Sequence, residues 1–88
     1  MATVFIALQK NEESQAIVEA ILADNPHATV NDEPAMVKVN APERMVIRRE
    51  SVEEEMGRSF DLQEIHVNLV TLSGNVDQSD DEFTLSWS

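Results

Sequence analysis

The sequence predicts an α+β fold: two β-α-β-β repeats stacked into a small two-layer sandwich, helices against a mostly antiparallel sheet. Three observations carry this. Apolar, β-rich runs recur along the whole chain, capped amphipathic segments follow the first and the fourth of them, and the order of elements in the first half reappears in the second. The repetition lies in element order, not residue identity. A single domain over residues 1–88 follows, with the first repeat at about 3–40 and the second at about 44–87.

Thr3 to Gln9 is apolar and β-rich enough for a strand buried on both faces. Asn11 then suits a helix N-cap, its side-chain oxygen accepting an amide of the first turn, where Glu12 and Glu13 favour the helix dipole. Ile17, Ala20 and Ile21 share one helical face with Ala16 beside them, while Gln15 and Glu19 point outward. Asn25-Pro26 ends the helix, because proline disfavours helical geometry in the residue before it. Thr29 to Asn31 reads as a short strand and Asp32-Glu33-Pro34 as a turn. From Met36 to Asn40 the chain alternates, Val37 and Val39 on one side, Lys38 and Asn40 on the other.

The second repeat opens with a strand from Arg44 to Arg49 in which Met45 and Ile47 share a face. Ser51 and Glu54 have capping-box spacing, Val52 and Met56 anchor a short helix, and Gly57 suits the left-handed cap that stops it. Asp61 to Glu64 adds one helical turn. Ile65 to Ser73 reads as one long strand and Gly74 to Asp81 as a loop. The last strand alternates, with Phe83, Leu85 and Trp87 inward and Glu82, Thr84 and Ser86 outward.

Composition narrows the function. An 88-residue domain buries only about 60–65% of the surface its unfolded chain exposes, so a deep active site competes with the core for few apolar side chains. Six basic residues against 17 acidic ones give a net charge of -11, which phosphate backbones and anionic lipids repel. Nucleic acid and membrane are therefore excluded as expected partners. With 42% hydrophobic residues in patterned runs the chain folds instead of remaining disordered. The absence of cysteine removes disulfides, thiol nucleophiles and thiolate metal sites. No signal peptide and no apolar stretch of about 18 residues is seen, so a soluble cytoplasmic protein is expected.

No residue set pairs a nucleophile with a base. Glu53, Glu54 and Glu55 splay around a helix instead of converging, and they read as helix-start charges. Asp77, Asp80, Asp81 and Glu82 miss the spacing and glycine of a calcium loop. His27 and His66 stand far apart with no cysteine to complete a metal site. No catalytic residue, metal ligand or cofactor is expected. Polarity and position instead nominate a partner interface: Arg48, Arg49, His66, Asn68, Ser73 and Asn75, with Asn31 and Met36 outside the main group. For the two arginines, internal ion pairs with nearby carboxylates are the competing reading. His66 and Asn68 are expected to interrupt the long strand on the face of Val70 and Leu72.

The segments FIALQKNEES, VIRRESVEEEMGRSFDLQEIHVNLVTLSG and DDEFTLSW closely resemble the MmoB/DmpM family of monooxygenase effector, or coupling, proteins, in particular those of bacterial multicomponent phenol hydroxylases. The resemblance spans nearly the whole chain and is strongest from Val46 to Gly74. It implies a protein without cofactor that binds an oxygenase component carrying a carboxylate-bridged di-iron centre. It also implies a reductase in the same system that delivers electrons from NADH through flavin and an iron–sulfur centre, and an effector that raises turnover and coupling. The implied fold is again two β-α-β-β motifs. The relative from methane monooxygenase has a functional N-terminal extension with no counterpart in these residues, so no mechanism resting on it is implied. Two readings from other classes stand beside this one: a small-ligand sensor with a cleft between repeats, and, last, a small enzyme.

Overall fold

A computed structural model describes residues 3–87. The expected α+β class is what it shows, with two antiparallel sheets and the helices packed against them. In the first half the strand β1 (Thr3–Gln9), the helix α1 (Glu12–Asp24) and the strands β2 (Thr29–Asp32) and β3 (Met36–Pro42) follow in the predicted order. The second half runs through β4 (Arg44–Arg48), α2 (Arg49–Met56), a 3-10 turn (Leu62–Glu64), α3 (Ile65–Asn68), β5 (Leu69–Ser73), β6 (Asn75–Gln78) and β7 (Glu82–Ser86).

Strands β2-β3-β1-β5 form one sheet and β4-β7-β6 the other. The central strand β1 pairs antiparallel with β3 from its own half and with β5 from the other, so the halves share one sheet. Chain that leaves the first sheet at Ser73 enters the second at Asn75, turning at Gly74 (φ 130°). The core lies between the sheets and α1: Val4, Ile6 and Leu8 of β1, Val37 and Val39 of β3, Ile17 and Ile21 of α1, Met45 and Ile47 of β4, and Phe83 and Leu85 of β7 are all buried.

Local chemistry explains the elements read correctly. Asn11 caps α1, its Oδ1 accepting from the Ser14 amide at 2.8 Å. Beyond the helix end, Asn25 acts across the fold: its side chain donates to the Val46 carbonyl at 2.8 Å and accepts from the Val46 amide at 3.0 Å. That pair of bonds covers the free edge of β4, which would otherwise offer unpaired backbone to another chain. Gly57 takes the left-handed conformation that ends α2. Asp61 and Glu64 form a reciprocal capping box around the 3-10 turn.

Four expectations are corrected. Helix α2 starts at Arg49, so β4 ends at Arg48 and Ser51 and Glu54 form no capping box at the helix start. The start is fixed by a distant group, the Asp81 carbonyl, which accepts from the Arg49 amide at 2.8 Å. Ile65 to Asn68 is helical, not the first part of a strand; Leu62, Ile65 and Asn68 recur every third residue and all three are buried. His66 and Asn68 therefore do not share a strand face with Val70 and Leu72. Asn75 to Gln78 is a strand paired with β7 instead of a loop. Trp87 lies past the end of β7, where the alternation no longer applies, and is 47% exposed with its indole N–H donating to the Thr3 carbonyl at 3.0 Å.

Asn68 is the clearest case of tertiary structure overriding local pattern. It is only 5% exposed, donates to Glu13 Oε1 at 2.6 Å and accepts from Asn11 Nδ2 at 2.7 Å. Arg58 extends the cluster, donating to Glu13 Oε2 at 3.0 Å. Together these bonds tie α3 to the start of α1. Asn68→Ala removes both of its own bonds, one of them to a carboxylate, so a loss of about 1–3 kcal/mol is expected. At this chain length that is a fall in Tm of roughly 5–20 °C. An unchanged melting curve would contradict the clamp.

Candidate docking surface

His66 Nε2 lies 3.2 Å from Gln78 Oε1, and the imidazole packs edge-on to Phe83 at 5.9 Å between centroids. Among the described residues no three histidine, aspartate or glutamate side chains come together to hold a metal ion. Among the same residues, no helix is long and apolar enough to cross a membrane. The run of glutamates is divided by the helix that carries it. Glu53 accepts from the Phe60 amide at 2.9 Å, while Glu54 and Glu55 face solvent.

The nominated interface residues fall into distinct places. Arg48, at the end of β4, lies 3.5 Å from Glu82, and Arg49, opening α2, donates to Asp81 Oδ1 at 3.0 Å. Both pairs are exposed, so each contributes about 0–1 kcal/mol. His66 faces β6 from α3, and Asn68 is the internal clamp described above. Asn75 begins β6 opposite Ser86 on the second sheet. Asn31, Met36 and Ser73 are different, because the strand registers put all three on one face of the four-stranded sheet.

That face turns away from the core. In an antiparallel sheet, residues directly opposite one another share a face. One cross-strand row is Asn31, Lys38, Ala7 and Thr71; the next is Thr29, Asn40, Phe5 and Ser73; Met36 lies opposite Gln9 beyond the first. The alternate residues of β1 and β3, among them Ile6, Leu8, Val37 and Val39, point inward and are buried. Lys38 lies over the Phe5 ring, its Nζ 4.2 Å from the centroid. The two rows and the Met36–Gln9 pair contain no aspartate or glutamate, in a chain that has 17. The exposed sides of α1 and α2, by contrast, carry Glu12, Glu19, Glu50, Glu54 and Glu55.

Sequence alternation places Lys38 and Asn40 on the outward side of β3, yet it does not single them out. Their relation to Phe5, Thr71 and Ser73 depends on pairings across 30 to 70 positions of chain, roughly the separations that local pattern cannot report. The half-exposed Trp87 is missed for the same reason.

Known proteins resemble the chain along its length. The model of the MmoB/DmpM family matches residues 2–86. The stimulatory component DmpM of phenol 2-monooxygenase from Pseudomonas sp. (strain CF600) is 51% identical over 84 residues, 96% of this chain and 93% of that protein. The effector subunit of an alkene monooxygenase system from Xanthobacter autotrophicus (strain ATCC BAA-1158 / Py2) is 30% identical over 71 residues, 78% of this chain and 70% of that one. Among solved structures, a chain of a phenol hydroxylase–regulatory protein complex superposes with a TM-score of 0.93 at 44% identity, covering 99% of this chain and 100% of that one. Regulatory protein B of soluble methane monooxygenase shares the fold, with a TM-score of 0.77 at 23% identity, and the match covers 98% of this chain and 65% of that protein. A relative 51% identical over nearly its whole length, together with a family match from residue 2 to residue 86, settles the classification: the chain belongs to the MmoB/DmpM family.

Proposed function

We propose that this protein is a non-catalytic effector: it binds the hydroxylase component of a multicomponent phenol monooxygenase and raises turnover and the coupling of NADH oxidation to hydroxylation. The observation that carries this reading is the near full-length similarity to a stimulatory component and to a regulatory protein solved with phenol hydroxylase. The whole chain acts as one effector domain, in the cytoplasm where an NADH-oxidising reductase finds its substrate.

Binding alters turnover only where the effector prefers one conformation of the hydroxylase over another. A preference of about 1–3 kcal/mol shifts such an equilibrium by roughly 5–150-fold. Docking over the elements that hold the iron ligands then reshapes substrate access and water exclusion without a side chain of the effector touching substrate. The reductase supplies electrons, and the substrate pocket belongs to the hydroxylase.

The test is a titration of the protein into purified hydroxylase and reductase, following product formed per NADH consumed. Both the rate and that ratio are expected to rise and then saturate near stoichiometric effector. A ratio and rate indifferent to the protein would contradict the reading, as would product formation by the protein alone.

A further inference from the structure

We propose that the cleft at the end of α1 binds a single-ring phenol, whose hydroxyl donates to Asp24 and whose ring lies among the cleft walls beside Arg44. The choice of phenol rests on the effector reading above. The site takes no part in the chemistry and lies apart from the pocket in which hydroxylation occurs.

The cleft lies between the two halves of the chain. It is bounded by the end of α1 and the residues after it, the end of β3 and the start of β4, and its volume is about 290 Å³. That is the small end of ordinary ligand cavities, which run from about 300 to 1,000 Å³. Pro26, Ala28, Ala41, Pro42 and Val46 give it apolar walls, while Asp24, His27 and Arg44 bring the ionisable groups. Asn25 fixes its shape. Its side chain donates to the Ile21 carbonyl at 2.8 Å and also bonds both backbone groups of Val46, so the helix end and β4 are held together. Little ordering is left to be done on binding.

Asp24 is the residue that asks for a ligand. Its Oδ2 is buried and has no hydrogen-bond partner among the described residues. Native proteins satisfy the large majority of such atoms, so an orphan calls for a physical reason. The carboxylate also stands in the last turn of α1, where no basic side chain offsets the negative end of the helix dipole. A donor brought by a ligand relieves both costs. Arg44 does not supply it: the residue is exposed and pairs with no carboxylate among the described residues. Backbone strain borders the same cleft. Glu43 alone joins β3 to β4 with φ 64°, a left-handed conformation uncommon outside glycine, and so sets Pro42 and Arg44 beside each other in the cleft lining.

The ligand has to bring a donor on an apolar body, because the walls are apolar, and no negative charge, because the chain already carries -11. A phenol meets these demands. Its hydroxyl, with a pKa near the tyrosine value of about 10, is neutral at pH 7 and donates to a carboxylate in a charge-assisted bond. Its ring offers a face on which a guanidinium stacks. An ammonium ligand would also donate to Asp24, but it would set a second positive charge against Arg44.

Titration of the isolated, isotope-labelled effector with phenol, followed by amide NMR shifts, tests the site with no other component present. Shifts are expected at Asp24, Ala28, Ala41, Arg44 and Val46, saturating with a Kd on the order of 1 mM, ordinary for a ligand of this size. Benzene lacks the donor and Asp24→Ala lacks the acceptor, so each is expected to weaken binding at least about tenfold, as loss of a hydrogen bond to a charged group does. Asp24→Asn keeps the shape with a weaker, neutral acceptor and is expected to fall between Asp24→Ala and the unaltered protein. A spectrum indifferent to phenol, shifts confined to other parts of the fold, or equal binding of phenol and benzene would overturn the site. None of these results touches the effector reading, which the titration into hydroxylase and reductase decides.

Discussion

Phe83→Ala is expected to remove about 3–5 kcal/mol of stability. The ring is fully buried on β7, the middle strand of the three-stranded sheet, between Ile47 on β4 and Gln78 on β6. It also supports the edge of the His66 imidazole and so helps to seat α3. With about 0.05–0.15 kcal/mol of stability per residue in ordinary domains, a chain of this length has little in reserve. Urea unfolding should show the midpoint collapsing towards zero denaturant. A shift worth less than about 1 kcal/mol would be well below core truncations generally, and it would mean that the second sheet is not packed around this ring.

Gly74→Val should be nearly as damaging, for two separable reasons. Its backbone has φ 130°, a conformation that side-chain-bearing residues rarely adopt and that costs on the order of 1–3 kcal/mol when forced. A Cβ there would also lie 3.0 Å from Val4 Cγ1 and 3.5 Å from the backbone N and O of Ser86, where the two sheets meet. Gly57 provides the comparison, since its φ is 71° but nothing lies within 4 Å of an added Cβ. Gly57→Ala is therefore expected to cost only about 1–2 kcal/mol, the backbone penalty alone. If the two substitutions proved equally mild in thermal unfolding, the close approach at the seam between sheets would be refuted.

The elements legible in the sequence are those whose causes are local. A strand such as Thr3–Gln9, a cap such as Asn11, a stop such as Asn25-Pro26 and the left-handed Gly57 each depend on residues a few positions apart. Where reading failed, the deciding group lay far away. Helix α2 begins where it does because a carbonyl 32 residues on, at Asp81, takes the Arg49 amide. Ile65 and Val67 favour a strand by type, yet α3 forms because Asn68 reaches Asn11 and Glu13 across 57 and 55 residues. Strand β6 has only Val76 as an apolar marker and exists through its pairing with β7.

The outward face of the four-stranded sheet is legible only in part for the same reason. Alternation along a single strand shows which residues point outward, but not which outward faces adjoin. Asn31, Met36 and Ser73 look unrelated along the chain and come together only through β1, which pairs β3 on one side and β5 on the other. Asn68 shows the opposite error: a polar residue in an apolar run suggested a contact with another protein, and its partners are internal.

Whether the protein works by selecting one hydroxylase conformation is tested most directly by thermodynamic linkage. The measurement is the affinity of the effector for the hydroxylase with and without bound phenolic substrate, set beside the substrate affinity with and without effector. If one shared conformational equilibrium joins the two sites, both affinities change by the same factor, of about 5–150-fold for a coupling of ordinary size. An effector that stimulates hydroxylation while neither affinity moves would contradict selection of a substrate-competent shape.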